Sequence, residues 1–211
     1  METLLALEPL RQRFVDVGRP GHELDVFFAR TLRDGMAFTL AGQAPPFRDV
    51  ARAELRTTSG LDEDGIDHVL RGFGELPAQP DAERALALVA EAGIPAYAFT
   101  HGSAAMIGAS MARSPVFDSL RGVLSSEEIS AFKPPARTYH WACQQAGSQP
   151  HHTALIAVHS WDTHGALRAG LLAGFATRLE GRLSEVVDRP QVVAERLDEV
   201  VEGLLALPSA G

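Results

Sequence analysis

Apolar residues follow two regimes along the chain. From residue 8 to 75 they recur at three- and four-residue steps, the period of a helix buried on one side, and no convincing strand interrupts them. Pro9 suits a first helical turn, and Gly18 stops the helix that runs to Val17. Gly21–Leu40 is the longest helical candidate, with Leu24, Phe27, Phe28, Leu32 and Met36 on one face. Pro45-Pro46 breaks the chain before a third helix over Phe47–Thr57, which Ser59-Gly60 ends. Asp62–Phe73 makes a fourth, striped by Ile66, Val69 and Leu70. From residue 81 to 207 helical patterns alternate with short apolar runs, which predicts an α/β layer with a mostly parallel sheet. Strands are expected at Ile94–Phe99, Gly122–Leu124, Ala154–Val158 and Phe175–Arg178. Helices are expected at Ala82–Ala92 (capped by Asp81), from Ser103 to about Ala112, at 136–146, at His164–Leu172 and at Val192–Leu205.

The regimes meet near Pro77–Pro80. Residues 9–76 then form a helical cap-like unit, and residues 1–8 with 77–211 an α/β core. The helical unit is too short to bury a core of its own and is expected to pack on the second part.

Composition narrows the function classes. The 211 residues are 45% hydrophobic, ordinary for one core with a modest insert. A net charge of −8 without a basic stripe argues against nucleic acid and anionic membrane surfaces. No apolar run approaches the ~18 residues of a membrane span, and the first residues show no basic leader. The single Cys143 excludes an intramolecular disulfide and a Cys-rich zinc site, which fits a reducing cytoplasm.

Ligands of open parallel sheets collect at the carboxyl ends of strands. Three polar clusters fall there: Thr100-His101-Gly102-Ser103, then Lys133, then His159-Ser160-Trp161-Asp162. In the first, exposed N–H groups of the following helix could hold an anion, or Ser103 could simply cap that helix. Lys133 is the only lysine in the chain, so either a compact ammonium is needed here or it is a common loop lysine; Tyr139 follows six residues on. Asp162 is either a helix cap or a carboxylate poised to orient or deprotonate water. His159 and His164, five apart, and His151-His152 read as solvated or core histidines rather than metal ligands. Arg30 lies mid-helix among apolar residues, where a salt-bridged surface arginine is the plain alternative.

Strand–Thr100-His101-Gly102-Ser103, then Lys133-Pro134 with Tyr139, then Trp161-Asp162-Thr163-His164-Gly165-Ala166-Leu167-Arg168-Ala169-Gly170 resembles the haloacid dehalogenase superfamily over essentially the whole chain. The helical segment resembles the cap of its type II branch, the (S)-2-haloacid dehalogenases. The resemblance implies a Rossmann-like core with a parallel sheet and a helical cap. It also implies a cofactor-independent hydrolase, in which an aspartate ending the first strand displaces halide from carbon 2 and water hydrolyses the ester. In that scheme Thr100 and nearby amides of His101 and Gly102 hold the substrate carboxylate, and Lys133 stabilises the nucleophile. Tyr139, Thr3, His159 and Trp161 line the site, Asp162 positions or activates water, and Arg30 meets the halide. A small carboxylate is the expected partner, and family members often pair as homodimers through the cap.

The sequence departs from the pattern at His101, where the family has asparagine, and at Ala157 and His159, where it has serine and asparagine. Superfamily phosphatases place a second carboxylate four residues before Asp162; Val158 stands there, so neither metal nor cofactor is expected. Counting back four positions from Thr3 puts the nucleophilic aspartate ahead of Met1. The expectation is therefore that Met1 is internal to a longer protein, with the central strand and nucleophile encoded upstream. Stripping that strand would leave buried backbone groups unpaired at ~1–3 kcal/mol each. A superfamily phosphatase, or a pseudoenzyme binding a small carboxylate or a protein partner, are the alternatives.

Overall fold

The computed structural model describes residues 1–208. Four helices come first: α1 (Leu10–Asp16), α2 (Glu23–Ala41), α3 (Phe47–Glu54) and α4 (Glu63–Arg71). After them come α5 (Ala82–Glu91), β1 (Ala96–Thr100), α6 (Ala104–Met111), β2 (Leu120–Ser125) and α7 (Ala136–Gln145). The chain closes with β3 (Ala154–Ala157), α8 (Ser160–Arg168), β4 (Leu172–Ala176), β5 (Val192–Ala194) and α9 (Leu197–Leu205). This is the expected α/β arrangement with parallel strands. Every strand pair is parallel, in two pieces: β1 with β2, and β3–β4–β5.

The first helices do not form a separate core. Phe14, Phe27, Phe47 and Phe73 share one buried cluster with Ala98, Ile107 and Phe132 from the α/β part. The α2 stripe begins as expected, with Leu24, Phe27 and Phe28 buried, and then departs from it. Leu32 and Met36 are only half-buried, and Leu40 is 82% exposed, while Thr31, Gly35 and Thr39 take the inner face. Each threonine hydroxyl donates to the carbonyl four residues back, so its polarity is satisfied inside the helix. Small residues there let α2 approach the loop before Lys133: a Cβ on Gly35 would overlap the Phe132 ring.

Most element ends shift by a few residues from the sequence expectation, and three elements depart further. The eighth helix starts at Ser160 rather than His164, because the Glu180 carboxylate accepts the Ser160 N–H and satisfies that helix end from afar. The next strand is Leu172–Ala176 rather than Phe175–Arg178, paired in register with β3 from Ala154↔Leu172 onward. The expected helix Val192–Leu205 is a strand, Val192–Ala194, and then a helix from Leu197, since β-branched Val192 and Val193 pair with β4.

Asp81 does not cap α5 with its side chain. It is buried, and Oδ2 accepts from the Leu197 N–H at 2.9 Å and the Arg178 Nε at 3.0 Å. Arg178 then donates to the carbonyls of Glu2 and Thr3 at 2.9 and 2.7 Å. The first residues are thus clamped at the carboxyl ends of the strands, and Leu5 bridges Ala78 antiparallel. Between β1 and β3 runs a largely apolar cavity of about 540 Å³, walled by Ala98, Phe99, Leu155 and Ile156 and by residues of α5, α7 and α9.

Candidate active site

The three polar clusters converge at the open carboxyl ends of β1 and β3. Thr100 ends β1, and its Oγ1 accepts the Gly102 N–H at 3.0 Å, while Ser125 at the end of β2 donates to the Gly102 carbonyl at 2.9 Å. The turn is therefore rigid, with the Thr100 hydroxyl proton free for a ligand. Ser103 caps α6 by accepting from the Met106 N–H, so helix capping accounts for that residue.

Lys133 is 7% exposed. Its loop is fixed by two buried bonds: the Phe132 N–H donates to Thr39 Oγ1 of α2 at 2.8 Å, and the Lys133 N–H to His101 Nε2 at 3.1 Å. The ammonium lies 2.5 Å from Asp162 Oδ2 and 4.8 Å from the Phe99 ring centroid. The other Asp162 oxygen accepts the Tyr139 hydroxyl at 2.7 Å. Burial first, and Asp162 next, push the Tyr139 phenol far above its ordinary range, which keeps it a donor. Asp162 sits in the first turn of α8, where the helix dipole favours an anion. Removing either charge would leave the other buried and uncompensated, so the pair, the phenol and the helix end form one unit.

Facing it are three rings. Trp161 lies 6.0 Å from His101 and 5.3 Å from His159, centroid to centroid. Burial chiefly, then the Lys133 charge, hold His101 well below the usual imidazole range. Because its Nε2 accepts from the Lys133 backbone, the neutral ring carries its proton on Nδ1. Thr3 lines the same cleft, with Oγ1 accepting from the Val158 N–H at 3.4 Å.

Of the residues singled out from sequence, Thr3, Thr100, His101, Lys133, Tyr139, His159, Trp161 and Asp162 all line one cleft. Gly102 lies behind Thr100, where a Cβ would press on Met106. The structure does not bring Arg30 to the cleft: it is exposed on α2, one turn before Asp34, whose charge it faces. Glu2, Asp81 and Arg178 were missed. Asp81 carried a local helix-cap signal that concealed its partners 97 and 116 residues away, and Glu2 carried none. Among the described residues no three His, Cys, Asp or Glu side chains are grouped to hold a metal ion, and no helix is long and apolar enough to cross a membrane.

No family model matches the chain. It is 30% identical over 117 residues to (S)-2-haloacid dehalogenase 4A of Burkholderia cepacia, a stretch covering 55% of this chain and 51% of that protein. It is also 27% identical over 157 residues to (S)-2-haloacid dehalogenase 1 of Pseudomonas sp. (strain CBS-3), covering 72% and 69%. The match thus spans about half the length of the first relative. Among solved structures, L-2-haloacid dehalogenase from Xanthobacter autotrophicus superposes with a TM-score of 0.89 at 20% identity, covering 99% of this chain and 96% of that one. The same enzyme with chloropropionic acid covalently bound gives 0.88.

Proposed function

Since this chain is a homologue of the (S)-2-haloacid dehalogenases and has their fold, we propose that it serves a cofactor-independent hydrolysis of small 2-haloacids. The observation that carries the reading is the buried Lys133–Asp162–Tyr139 unit at the strand ends, opening on a cavity with Thr100 and His101 at its wall.

The substrate carboxylate is held by the Thr100 hydroxyl and the Nδ1–H of His101, two neutral donors beside the Lys133 charge. A carboxylate nucleophile attacks carbon 2, the carbon–halogen bond breaks, and halide leaves with the bonding pair. Lys133 balances the charge on that nucleophile, and Asp162, fixed by the lysine and the phenol, positions the water that attacks the ester carbonyl. Dividing one displacement into two steps lowers each barrier, and fixed charges need no reorganisation as the charge moves. Arg30 is given no role, because it faces solvent from α2.

The nucleophile is proposed to be an aspartate four positions before Thr3, borne on a strand lying in the cavity between β1 and β3. Two edges of parallel sheet face that cavity, and its apolar walls suit a buried central strand. A cytoplasmic setting is part of the proposal, supported by the single, buried Cys143. So is a homodimer through the cap, supported by exposed Val26, Phe38 and Leu40 on α2.

The test compares chloride release from (S)-2-chloropropionate with phosphate release from p-nitrophenyl phosphate and Mg²⁺, in protein expressed with the residues encoded ahead of Met1. Chloride release that Lys133→Met abolishes is expected. Phosphate release alone would replace the dehalogenase reading with a phosphatase one.

A further inference from the structure

A second ionisable pair stands at the mouth of the cleft, and the scheme above leaves it idle. Glu2 Oε2 lies 2.8 Å from His159 Nε2, and the two side chains are only 16% and 14% exposed. Glu2 has a φ of 54°, a left-handed conformation uncommon outside glycine, and Arg178 holds its carbonyl. The backbone is thus bent to aim this carboxylate at the imidazole. The imidazole is held in turn, its ring stacked on Trp161 with 30° between planes.

A carboxylate on Nε2–H leaves the lone pair of the neutral ring on Nδ1, the arrangement that orients a histidine to take a proton. Asp162 is built differently, with one oxygen on an ammonium and the other on a phenol. It is equipped to hold a water in place, and the nearby group with an open basic nitrogen is His159.

We propose that His159, oriented by Glu2, is the proton acceptor for the hydrolytic water, with Glu2 a positioning residue. The inference rests on the hydrolase reading and names the base in its second half. Nδ1 takes one proton from water as the oxygen bonds to the ester carbonyl carbon. The bond from that carbon to the substrate oxygen then breaks, and the imidazolium returns its proton to the leaving alkoxide. A 2-hydroxy acid and the protein's carboxylic acid result, and that acid gives up the second water proton to solvent to restore the nucleophilic carboxylate. The charged and titratable groups around His159 are Glu2, the Met1 amino group beside it, the Lys133–Asp162 pair, His101 beyond Trp161, Glu180 on the Ser160 N–H and Arg178 on the Glu2 carbonyl.

The experiment follows a single turnover of (S)-2-chloropropionate in the upstream-extended protein, reading chloride, the intact mass of the protein and the pH profile of ester decay. His159→Asn should lower the ratio of ester decay to chloride release about 10²-fold, the scale of general-base catalysis, so that protein of increased mass accumulates. The acid limb of ester decay should vanish with it. Glu2→Gln should lower the ratio less, about tenfold, and displace the limb rather than remove it. An unchanged ratio in His159→Asn, or an acid limb that survives, overturns the inference while the hydrolase reading stands. A wild type that releases no chloride overturns both.

Discussion

Each site side chain is defined by what its neighbours leave open. Asp162 and Lys133 are buried together, so truncating one strands the other. Lys133→Met should cost about 3–5 kcal/mol, read from urea unfolding, because the Asp162 carboxylate keeps only the phenol and the helix end. His101 gives a pH signature. Its folded form resists protonation well below the ordinary 6.5, whereas the unfolded chain protonates there. Between those two values the unfolded state binds more protons, so stability falls as pH drops through about 6.5 and rises again with pH. His101→Asn should flatten that slope in unfolding midpoints measured at pH 7 and pH 5. A slope that survives the substitution would place its origin elsewhere. The strand-end residues were legible from sequence because ligands of open parallel sheets collect where the apolar runs end. Glu2 was not, since its partner lies 157 residues away and nothing in its own neighbourhood asks for a carboxylate.

At the scale of elements, α2 does more than cover the core. Thr39 accepts the Phe132 N–H, and Gly35 lies flat against the Phe132 ring, so this helix sets the backbone of the lysine loop. Thr39→Val should leave a buried N–H unpaired and cost about 1–3 kcal/mol, with activity falling through a displaced Lys133. Gly35→Ala should cost about as much by forcing the helix off the ring. Calorimetric melting of both variants checks these figures, and neutral outcomes would detach α2 from the loop. Periodicity found this helix through Leu24, Phe27 and Phe28 but misjudged its far half. Threonine and glycine score as polar or flexible in sequence, and only their packing shows them facing inward. The same blindness to long-range pairing turned Val192–Ala194 from a strand into a helix, because three residues beside an apolar helix carry no period of their own.

At the scale of the molecule, the alternation of helices and apolar runs predicted the layered parallel architecture, and the ordered polar clusters predicted one cleft. What the sequence could not show is how that cleft is furnished from beneath, where β1 and β3 face each other across about 540 Å³ of apolar space. The proposal fills that space with a strand whose last residue meets Lys133. The most direct measurement is chloride release from (S)-2-chloropropionate by protein extended through the codons ahead of Met1, beside a version whose aspartate four positions before Thr3 is changed to asparagine. Release by the first and none by the second is the expected result. Equal release from both, or no aspartate encoded at that position, would contradict it.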